Sequence, residues 1–269
     1  MTSTDAGPGP TLAIDEQRLR ASADPAAAIR QIADRIIAAL RTPPCFVRLT
    51  GLAPTEDRSL AVALARTIAI TPPHPPGFDR DRLLKVSFTQ VRIDRSRAEN
   101  AGAVTAYSRT NQPLALHTDS SYLAKPHPLV LFQFIRSAAD GGASTMACAD
   151  DIVAALPPPL VETLARPQFP FGKGPMPILF GRRSAPQMRY YRSQIDTAAE
   201  EAGGLPQPLV TALDRLDEIL EQVPTYEFKA QPGEIVFMQN TRVLHGRRGF
   251  GGDSDRLMYR IRMHGGALG

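Results

Sequence analysis

The stretch LALHTDSSY constrains this chain most, because it holds a histidine and an aspartate two residues apart, His117 and Asp119. On an extended strand two such side chains point to the same face, since successive residues alternate between faces. A second imidazole is available 128 residues downstream, where His245 lies in NTRVLHGRRGF. Two imidazoles and one carboxylate on one face of an ion suit non-haem Fe(II) and leave positions open for a cosubstrate and O2. We therefore predict a catalytic iron site at His117, Asp119 and His245.

The surroundings of the three residues strengthen this prediction, since an isolated H-x-D pattern also arises by chance. Alternating leucines precede His117 and a polar turn follows it, while Gly246 would allow the backbone to turn close to an ion. His74 and His127 stand between prolines, and His264 lies near the end of the sequence. We expect structural or solvated roles for these three histidines.

Composition limits the classes of protein to consider. The 269 residues are 43% hydrophobic, which is enough for one large core. Lys and Arg exceed Asp and Glu by 31 to 27, a balance that favours a small anionic molecule and is too weak to indicate nucleic acid. Cys45 and Cys148 lack the spacing of a disulfide framework or a zinc site, so we expect two buried thiols.

No run approaches the roughly 20 apolar residues of a membrane span, and the first residues do not resemble a signal peptide. We expect a soluble, cytoplasmic protein with a small-molecule substrate and no nucleic-acid or membrane partner. The sequence leaves a homo-oligomer open.

Patterns along the chain predict one domain over residues 25–269 behind a flexible tail over residues 1–24. Amphipathic helices are predicted in DPAAAIRQIADRIIAALR, DRSLAVALARTIAI and LPQPLVTALDRLDEILEQV, the first with Asp24 as N-cap and Pro25 at the first helical position. Short strands are predicted in CFVRLTGL, LLKVSFTQVRI, LALHTDSSY, KPHPLVLFQFIRS and the segments around His245. Residues 166–208 are rich in Pro, Gly, Arg and Tyr and are predicted to form a hairpin or a lid.

Many short strands with helices at the front and in one insertion predict a mainly β fold with flanking helices, built as a double-sheet jelly roll. An open doubly wound sheet fits less well. It would need regular alternation of strands and helices and a Gly-rich phosphate turn, and the chain has neither GxGxxG nor GxxxxGK[ST].

Four segments together resemble one superfamily: LHTDSSY, GGAST, NTRVLHGRRGF and DRLMYRIRM. They are similar to the taurine dioxygenase and clavaminate synthase-like superfamily of Fe(II)/2-oxoglutarate dioxygenases, and PCFVRLTGL resembles its opening strand. The resemblance implies a double-stranded β-helix, cupin-like core and Fe(II) bound by His117, Asp119 and His245. It also implies 2-oxoglutarate as a cosubstrate that chelates the iron through its C1 carboxylate and keto oxygen.

The same resemblance assigns residues to the cosubstrate. Its far carboxylate needs a guanidinium, which offers a two-pronged fork. Arg256, 11 residues after His245, matches best, ahead of Arg260 or Arg262. Of the hydroxyls after the Gly-Gly turn, Ser144 and Thr145, we prefer Thr145, with a turn-capping bond as the alternative.

Substrate contacts are expected at three positions. Arg260 shares a strand face with Arg256, and in some relatives the matching residue contacts an anionic group of the substrate. Tyr191 lies in the RYY run of the insertion, where relatives place substrate contacts; an exposed lid with Tyr stacked on Arg is the competing interpretation. Asn111 precedes the His117 strand. Other polar residues near these positions are Tyr107, Ser108, Arg109, Asn240, Arg242, Arg247 and Arg248; we expect a turn-forming Asn240, a supporting role for Arg242 and a solvated Arg248.

The resemblance implies hydroxylation of an unactivated C–H in a small polar substrate, with release of succinate and CO2. An amino acid or another small carboxylate of secondary metabolism is expected, and desaturation or cyclisation stay open. An intact Asp119 argues against halogenation, because halogenating relatives replace this carboxylate. The alternatives are a non-oxidative cupin-type protein that binds a metal or ligand, and an inactive relative that serves as an interaction module.

Overall fold

The computed structural model describes residues 5–72, 86–93, 107–172, 174–264 and 268. His74 and most of the loop before the His117 strand lie outside these ranges. The helices are α1 (Glu16–Arg20), α2 (Pro25–Arg41), α3 (Ser59–Ile70), α4 (Ala149–Ala155), α5 (Pro158–Leu164), α6 (Arg192–Glu201) and α7 (Gln207–Leu220), with a 3-10 turn at Tyr107–Arg109.

The strands are β1 (Thr11–Ala13), β2 (Phe46–Thr50), β3 (Ser87–Val91), β4 (Leu114–His117), β5 (Leu129–Arg136), β6 (Ser144–Cys148), β7 (Phe169–Pro170), β8 (Pro175–Met176), β9 (Leu179–Arg182), β10 (Ala185–Met188), β11 (Tyr226–Phe228), β12 (Ile235–Gln239), β13 (Val243–Arg247) and β14 (Leu257–Met263).

Two sheets form the centre of the fold. The larger has the order β1-β2-β12-β5-β14-β3 and the smaller the order β11-β6-β13-β4. β1 pairs parallel with β2, and the other pairs of these sheets are antiparallel. Phe132 and Val236 of the larger sheet share one buried cluster with Met146 and Val243 of the smaller sheet. The sheets therefore face each other, and the predicted jelly-roll fold is confirmed.

Helices cover the outer faces of both sheets. α2 begins as predicted: the Asp24 carboxylate accepts a hydrogen bond from the Ala27 N–H at 2.8 Å, and Pro25 occupies the first turn. Ile36 and Leu40 of α2 pack with α3 on the larger sheet. On the smaller sheet, α4, α5 and α7 contribute to a separate buried cluster.

The predicted flexible tail is wrong for residues 11–20, which form β1 and α1. β1 pairs with residues 48–50 of β2, and the alternate side chains Leu12 and Ile14 are buried in the outer cluster of the larger sheet. Tertiary pairing and burial therefore order a segment whose composition is that of a loop.

The insertion at residues 166–208 contains two short hairpins and α6. Phe169, Phe171 and Tyr190 are buried in the cluster formed with α4 and α7. The interpretation as an exposed lid with Tyr stacked on Arg does not fit, because Tyr190 is enclosed and its hydroxyl donates to Asp217. Within the described residues, no helix combines the length and apolar character needed to cross a bilayer.

Candidate metal centre

Adjacent strands bring the two predicted imidazole ligands together. His117, the last residue of β4, pairs directly with His245 of β13, and their ring centroids are 4.3 Å apart. Asp119 follows two residues later, and one ligand atom from each of the three side chains lies within 4.8 Å of the others. All three side chains are buried. The structure thus brings together three residues that are far apart in sequence.

The strand that carries His117 ends there, so the prediction of one extended strand through Asp119 is wrong. Asp119 lies in the following turn, where Ser120 has a positive φ of 59°. The Asn240 side chain fixes this turn: its oxygen accepts the Asp119 N–H at 2.8 Å, and its nitrogen donates to the Asp119 carbonyl at 2.8 Å. The sequence predicts only a turn-forming residue at Asn240, but its side chain bonds to the backbone of Asp119, 121 residues earlier in the chain.

The insertion also supports this segment. Thr118 lies between His117 and Asp119. Its N–H donates to the Tyr190 carbonyl at 2.7 Å, and the Tyr190 N–H donates to the Thr118 hydroxyl at 3.0 Å. The buried Arg189 guanidinium donates to the carbonyls of Leu123 at 2.8 Å and Ala124 at 3.0 Å. The Arg-Tyr-Tyr run therefore holds the turn that presents Asp119.

The histidines have the protonation state that a metal requires. His117 Nδ1 lies 2.9 Å from the Ala115 carbonyl, which can only accept, so Nδ1 carries the proton and Nε2 keeps its lone pair. Burial lowers the pKa of His117. Burial, with the nearby His117, lowers the pKa of His245 to about 3. Both imidazoles are neutral at pH 7, the form that binds metal ions.

The carboxylate is ionised and has one oxygen to spare. Burial, the largest single influence, favours its neutral form, but Arg260 together with His245, His117 and Arg262 outweighs burial and lowers the pKa of Asp119. Arg260 donates to Oδ1 at 2.9 Å, whereas Oδ2 is buried without a hydrogen-bond partner among the described residues. Two neutral imidazoles and an unpartnered carboxylate oxygen fit the donor set of an Fe(II) site.

A small cavity lies inside the barrel beside His117 and His245. Phe132, Phe134 and Met258 line it together with two buried arginines, Arg247 and Arg256. The Arg256 guanidinium lies 5.6 Å from the centroid of the Phe134 ring. Burial, reinforced by the charge of Arg247, lowers the pKa of Arg256 to about 9, so it stays charged at pH 7. No carboxylate forms an ion pair with Arg256 in the described part of the chain, so the cavity offers an unmatched cation.

The geometry of β6 favours Ser144 over the predicted Thr145 as the hydroxyl that faces the cavity. Ser144 lines the cavity, whereas Thr145, the next residue of β6, faces the opposite side of the sheet. There its hydroxyl oxygen lies next to Gly246 and would be only 2.7 Å from a Cβ added to that glycine. The same geometry corrects the expectation for Gly246. A Cβ there would also lie 2.6 Å from the Leu114 carbonyl oxygen, so glycine is needed for close approach of β4.

The other predicted contacts have mixed outcomes. Arg260 is engaged by Asp119, which does not fit the expected substrate contact. The Tyr191 ring lies 4.8 Å from the His117 ring. The Asn111 side chain donates to the Phe250 carbonyl at 3.2 Å and does not line the cavity, so its expected substrate role is not supported, whereas Ser108 does line the cavity.

Two arginines that flank His245 differ from the expectation. Arg242 pairs with Asp150 at 2.7 Å instead of supporting a ligand. Arg247, for which no role is predicted above, donates to the carbonyls of Thr110 and Gln112, both at 2.7 Å. Its position two residues after His245 on one strand was a usable signal, because such residues share a face. Arg248 forms an exposed ion pair with Glu227, as a solvated residue would.

Comparison with family models identifies this arrangement. Residues 20–174 and 177–262 match the model for the taurine catabolism dioxygenase TauD, TfdA family. The chain belongs to the TauD/TfdA family. This membership confirms the predicted family, the jelly-roll fold and the dependence on Fe(II) and 2-oxoglutarate.

Solved structures agree with the TauD/TfdA fold. An asparagine oxygenase in complex with Fe(II), 2S,3S-3-hydroxyasparagine and succinate is 17% identical, with a TM-score of 0.67 over 94% of this chain and 93% of that chain. The non-heme iron oxygenase OrfP in complex with Fe and alpha-ketoglutaric acid is 17% identical, with a TM-score of 0.59 over 94% of both chains. OrfP in complex with Fe, succinate and (3S)-hydroxy-L-Arg is 16% identical, with a TM-score of 0.60 over 95% of this chain and 94% of that chain. Comparison with curated proteins returned no significant match.

Proposed function

We propose that this TauD/TfdA protein is an Fe(II)/2-oxoglutarate-dependent hydroxylase that acts on a free amino acid or another small carboxylate. The observation that carries the proposal is the convergence of His117, Asp119 and His245, with Asp119 Oδ2 buried and unpartnered. Bound Fe(II) and 2-oxoglutarate supply the oxidising power from O2, with release of succinate and CO2.

The three side chains have distinct tasks in this proposal. His117 and His245 offer neutral nitrogens, and Asp119 offers one negative oxygen while Arg260 holds the other. Asn240 keeps the Asp119 backbone fixed, so the carboxylate is aimed before a metal arrives. Ligands confined to one face leave the remaining positions of the ion open.

Arg256 and Ser144 are the proposed partners of the cosubstrate. Arg256 lies in the cavity next to His245 and is charged but has no carboxylate partner among the described residues. A bidentate carboxylate would satisfy its guanidinium, and the Ser144 hydroxyl can add a further hydrogen bond. Phe132 and Phe134 form apolar walls of this cavity.

An amino-acid substrate is supported by two structures of the same fold, and the Tyr191 ring beside His117 would form one wall of its site. The asparagine oxygenase structure contains 3-hydroxyasparagine, and the OrfP structure contains (3S)-hydroxy-L-Arg, so two proteins of the same fold were crystallised with hydroxylated amino acids.

An anaerobic titration with Fe(II) and then 2-oxoglutarate tests the proposal. Wild-type protein should develop the visible charge-transfer band of the iron chelate, and it should release succinate when O2 is admitted. The His245→Ala variant should lose both signals, while Asp253→Ala, which removes an exposed side chain, should retain them. A wild-type protein with neither band nor succinate, or a His245→Ala variant with both, would contradict the proposal.

A further inference from the structure

One face of β14 carries a row of arginines. Arg260 and Arg262 stand opposite Phe132 and Val130 of β5, and these two apolar side chains belong to the cluster between the sheets. Because cross-strand partners share a face, both arginines point into the barrel. Arg256, just before β14, begins the row in the cavity and is 5% exposed. Arg262 ends it at a half-buried position, so the row runs from the cosubstrate cavity past Arg260, which contacts Asp119, toward the far end of β14.

Arg260 and Arg262 differ in their partners. Arg260 is paired with the Asp119 carboxylate. Arg262 contacts two hydroxyls of the edge strand β3, those of Ser87 at 3.4 Å and Thr89 at 3.3 Å. Its Nε is buried without a partner, and no carboxylate within the described ranges forms an ion pair with it. Arg262 is therefore a cation held by two long hydrogen bonds to neutral groups.

The charge of the site favours an additional anion. Among the described residues, the guanidiniums of Arg247, Arg256 and Arg260 line the cavity beside the centre, Arg262 follows on the same strand face, and Asp119 is the carboxylate of the centre. A ferrous ion adds two positive charges, and the two carboxylates of 2-oxoglutarate do not balance the total. Burial, with a smaller effect from the charge of Arg260, lowers the pKa of Arg262.

The neighbouring His127 does not compete for this role. Its ring stacks on that of His264, with ring centroids 4.4 Å apart. Burial, with smaller effects from His264 and Arg262, lowers the pKa of His127 to about 4, so His127 is neutral at pH 7. His127 therefore borders Arg262 without adding charge.

We propose that Arg262, with the hydroxyls of Ser87 and Thr89, binds a carboxylate of the substrate on the barrel-facing side of β14, next to Arg260. The inference rests on the proposed function and moves the substrate anchor from Arg260, which Asp119 occupies, to Arg262. A guanidinium offers two parallel N–H donors, and the two hydroxyls can turn to donate as well, so a carboxylate would be bound by up to four hydrogen bonds.

Paired probes test this assignment. Protein loaded anaerobically with Fe(II) and 2-oxoglutarate is exposed to the proteinogenic L-amino acids and small carboxylic acids, each compared with its primary amide. Binding is followed by saturation-transfer NMR and by the change in the chelate band, and succinate release is measured afterwards in air. At least one acid should bind and stimulate succinate release, and its amide should do neither.

The variants separate this inference from the proposed function. Arg262→Gln should weaken binding of the acid about 10- to 100-fold, the loss expected for hydrogen bonds to a charged group, without changing the affinity for 2-oxoglutarate. Arg262→Lys should recover part of the loss, since an ammonium keeps the charge but not the fork. Thr89→Val tests the same site without removing a charge, and Arg92→Gln, at an exposed arginine beyond β3, is the matched control.

The inference is overturned if no acid binds better than its amide, if Arg262→Gln and Thr89→Val leave acid binding unchanged, or if Arg262→Gln weakens 2-oxoglutarate instead. A wild-type protein that lacks the chelate band would refute the proposed function. A protein with the band but no effect at Arg262 would refute the substrate anchor alone.

Discussion

Acid should destabilise the metal-free protein through His245. This imidazole has a pKa of about 3 in the folded chain, because burial and the adjacent His117 disfavour its charged form. In the unfolded chain its pKa returns to about 6.5. Between pH 3 and pH 6.5 this imidazole is protonated in the unfolded state but not in the folded state. The free energy of unfolding is therefore highest above pH 6.5 and falls as the pH falls toward 3.

The loss of unfolding free energy at a given pH depends on how far that pH lies below the unfolded pKa of about 6.5. Each pH unit below 6.5 costs about 1.4 kcal/mol, so at pH 5 the contribution of His245 is a loss of about 2 kcal/mol. Urea unfolding of the EDTA-treated protein should be compared near neutral pH and at about pH 5 for the wild type and His245→Gln. The other titrating groups are common to both proteins, so the wild type should lose about 2 kcal/mol more than the variant. Equal losses would refute the assignment of a buried neutral imidazole.

Three further substitutions test the scaffold and the cosubstrate site. Glu234→Ala leaves the buried guanidinium of Arg48 without its bidentate partner. Urea unfolding should show a free energy of unfolding lower by about 3–5 kcal/mol, and a smaller loss would contradict this role of the ion pair. Gly246→Ala places a methyl group against a β4 carbonyl oxygen and should cost about 1–3 kcal/mol and weaken Fe(II) binding by calorimetry; unchanged binding would count against the close approach. Ser144→Ala should raise the KM for 2-oxoglutarate about tenfold, the effect of losing one hydrogen bond to a charged group, whereas Thr145→Ala should leave the KM unchanged. A raised KM in Thr145→Ala and not in Ser144→Ala would support Thr145 as the contact to 2-oxoglutarate.

Local signals predicted the helices well. The prediction of α2 is confirmed, including its N-cap, because an Asp N-cap, a Pro in the first turn and a stripe of isoleucines all act within a few residues. β1 was missed for the opposite reason. A three-residue strand has almost no local preference, and its order comes from pairing with β2 and from the burial of Leu12 and Ile14.

The ligand set was predictable from residue type and motif, but its support was not. Nothing near Asn240 in the sequence indicates that its side chain clamps Asp119, since the two residues meet only in the folded barrel. The choice between Ser144 and Thr145 depends on strand phase, and two consecutive hydroxyls leave that phase undefined. The partner of Arg260 could not be predicted either, because its carboxylate, Asp119, comes from the turn that follows a strand of the other sheet.

Anomalous X-ray scattering at the iron edge tests the central claim most directly. Crystals grown anaerobically with Fe(II) and 2-oxoglutarate should show one iron peak bound to a nitrogen of His117, a nitrogen of His245 and Asp119 Oδ2, each at about 2 Å. An iron peak at the other converging donor group, the buried thiols of Cys45 and Cys148 with Asp150, would contradict the account, as would no peak between the two histidines.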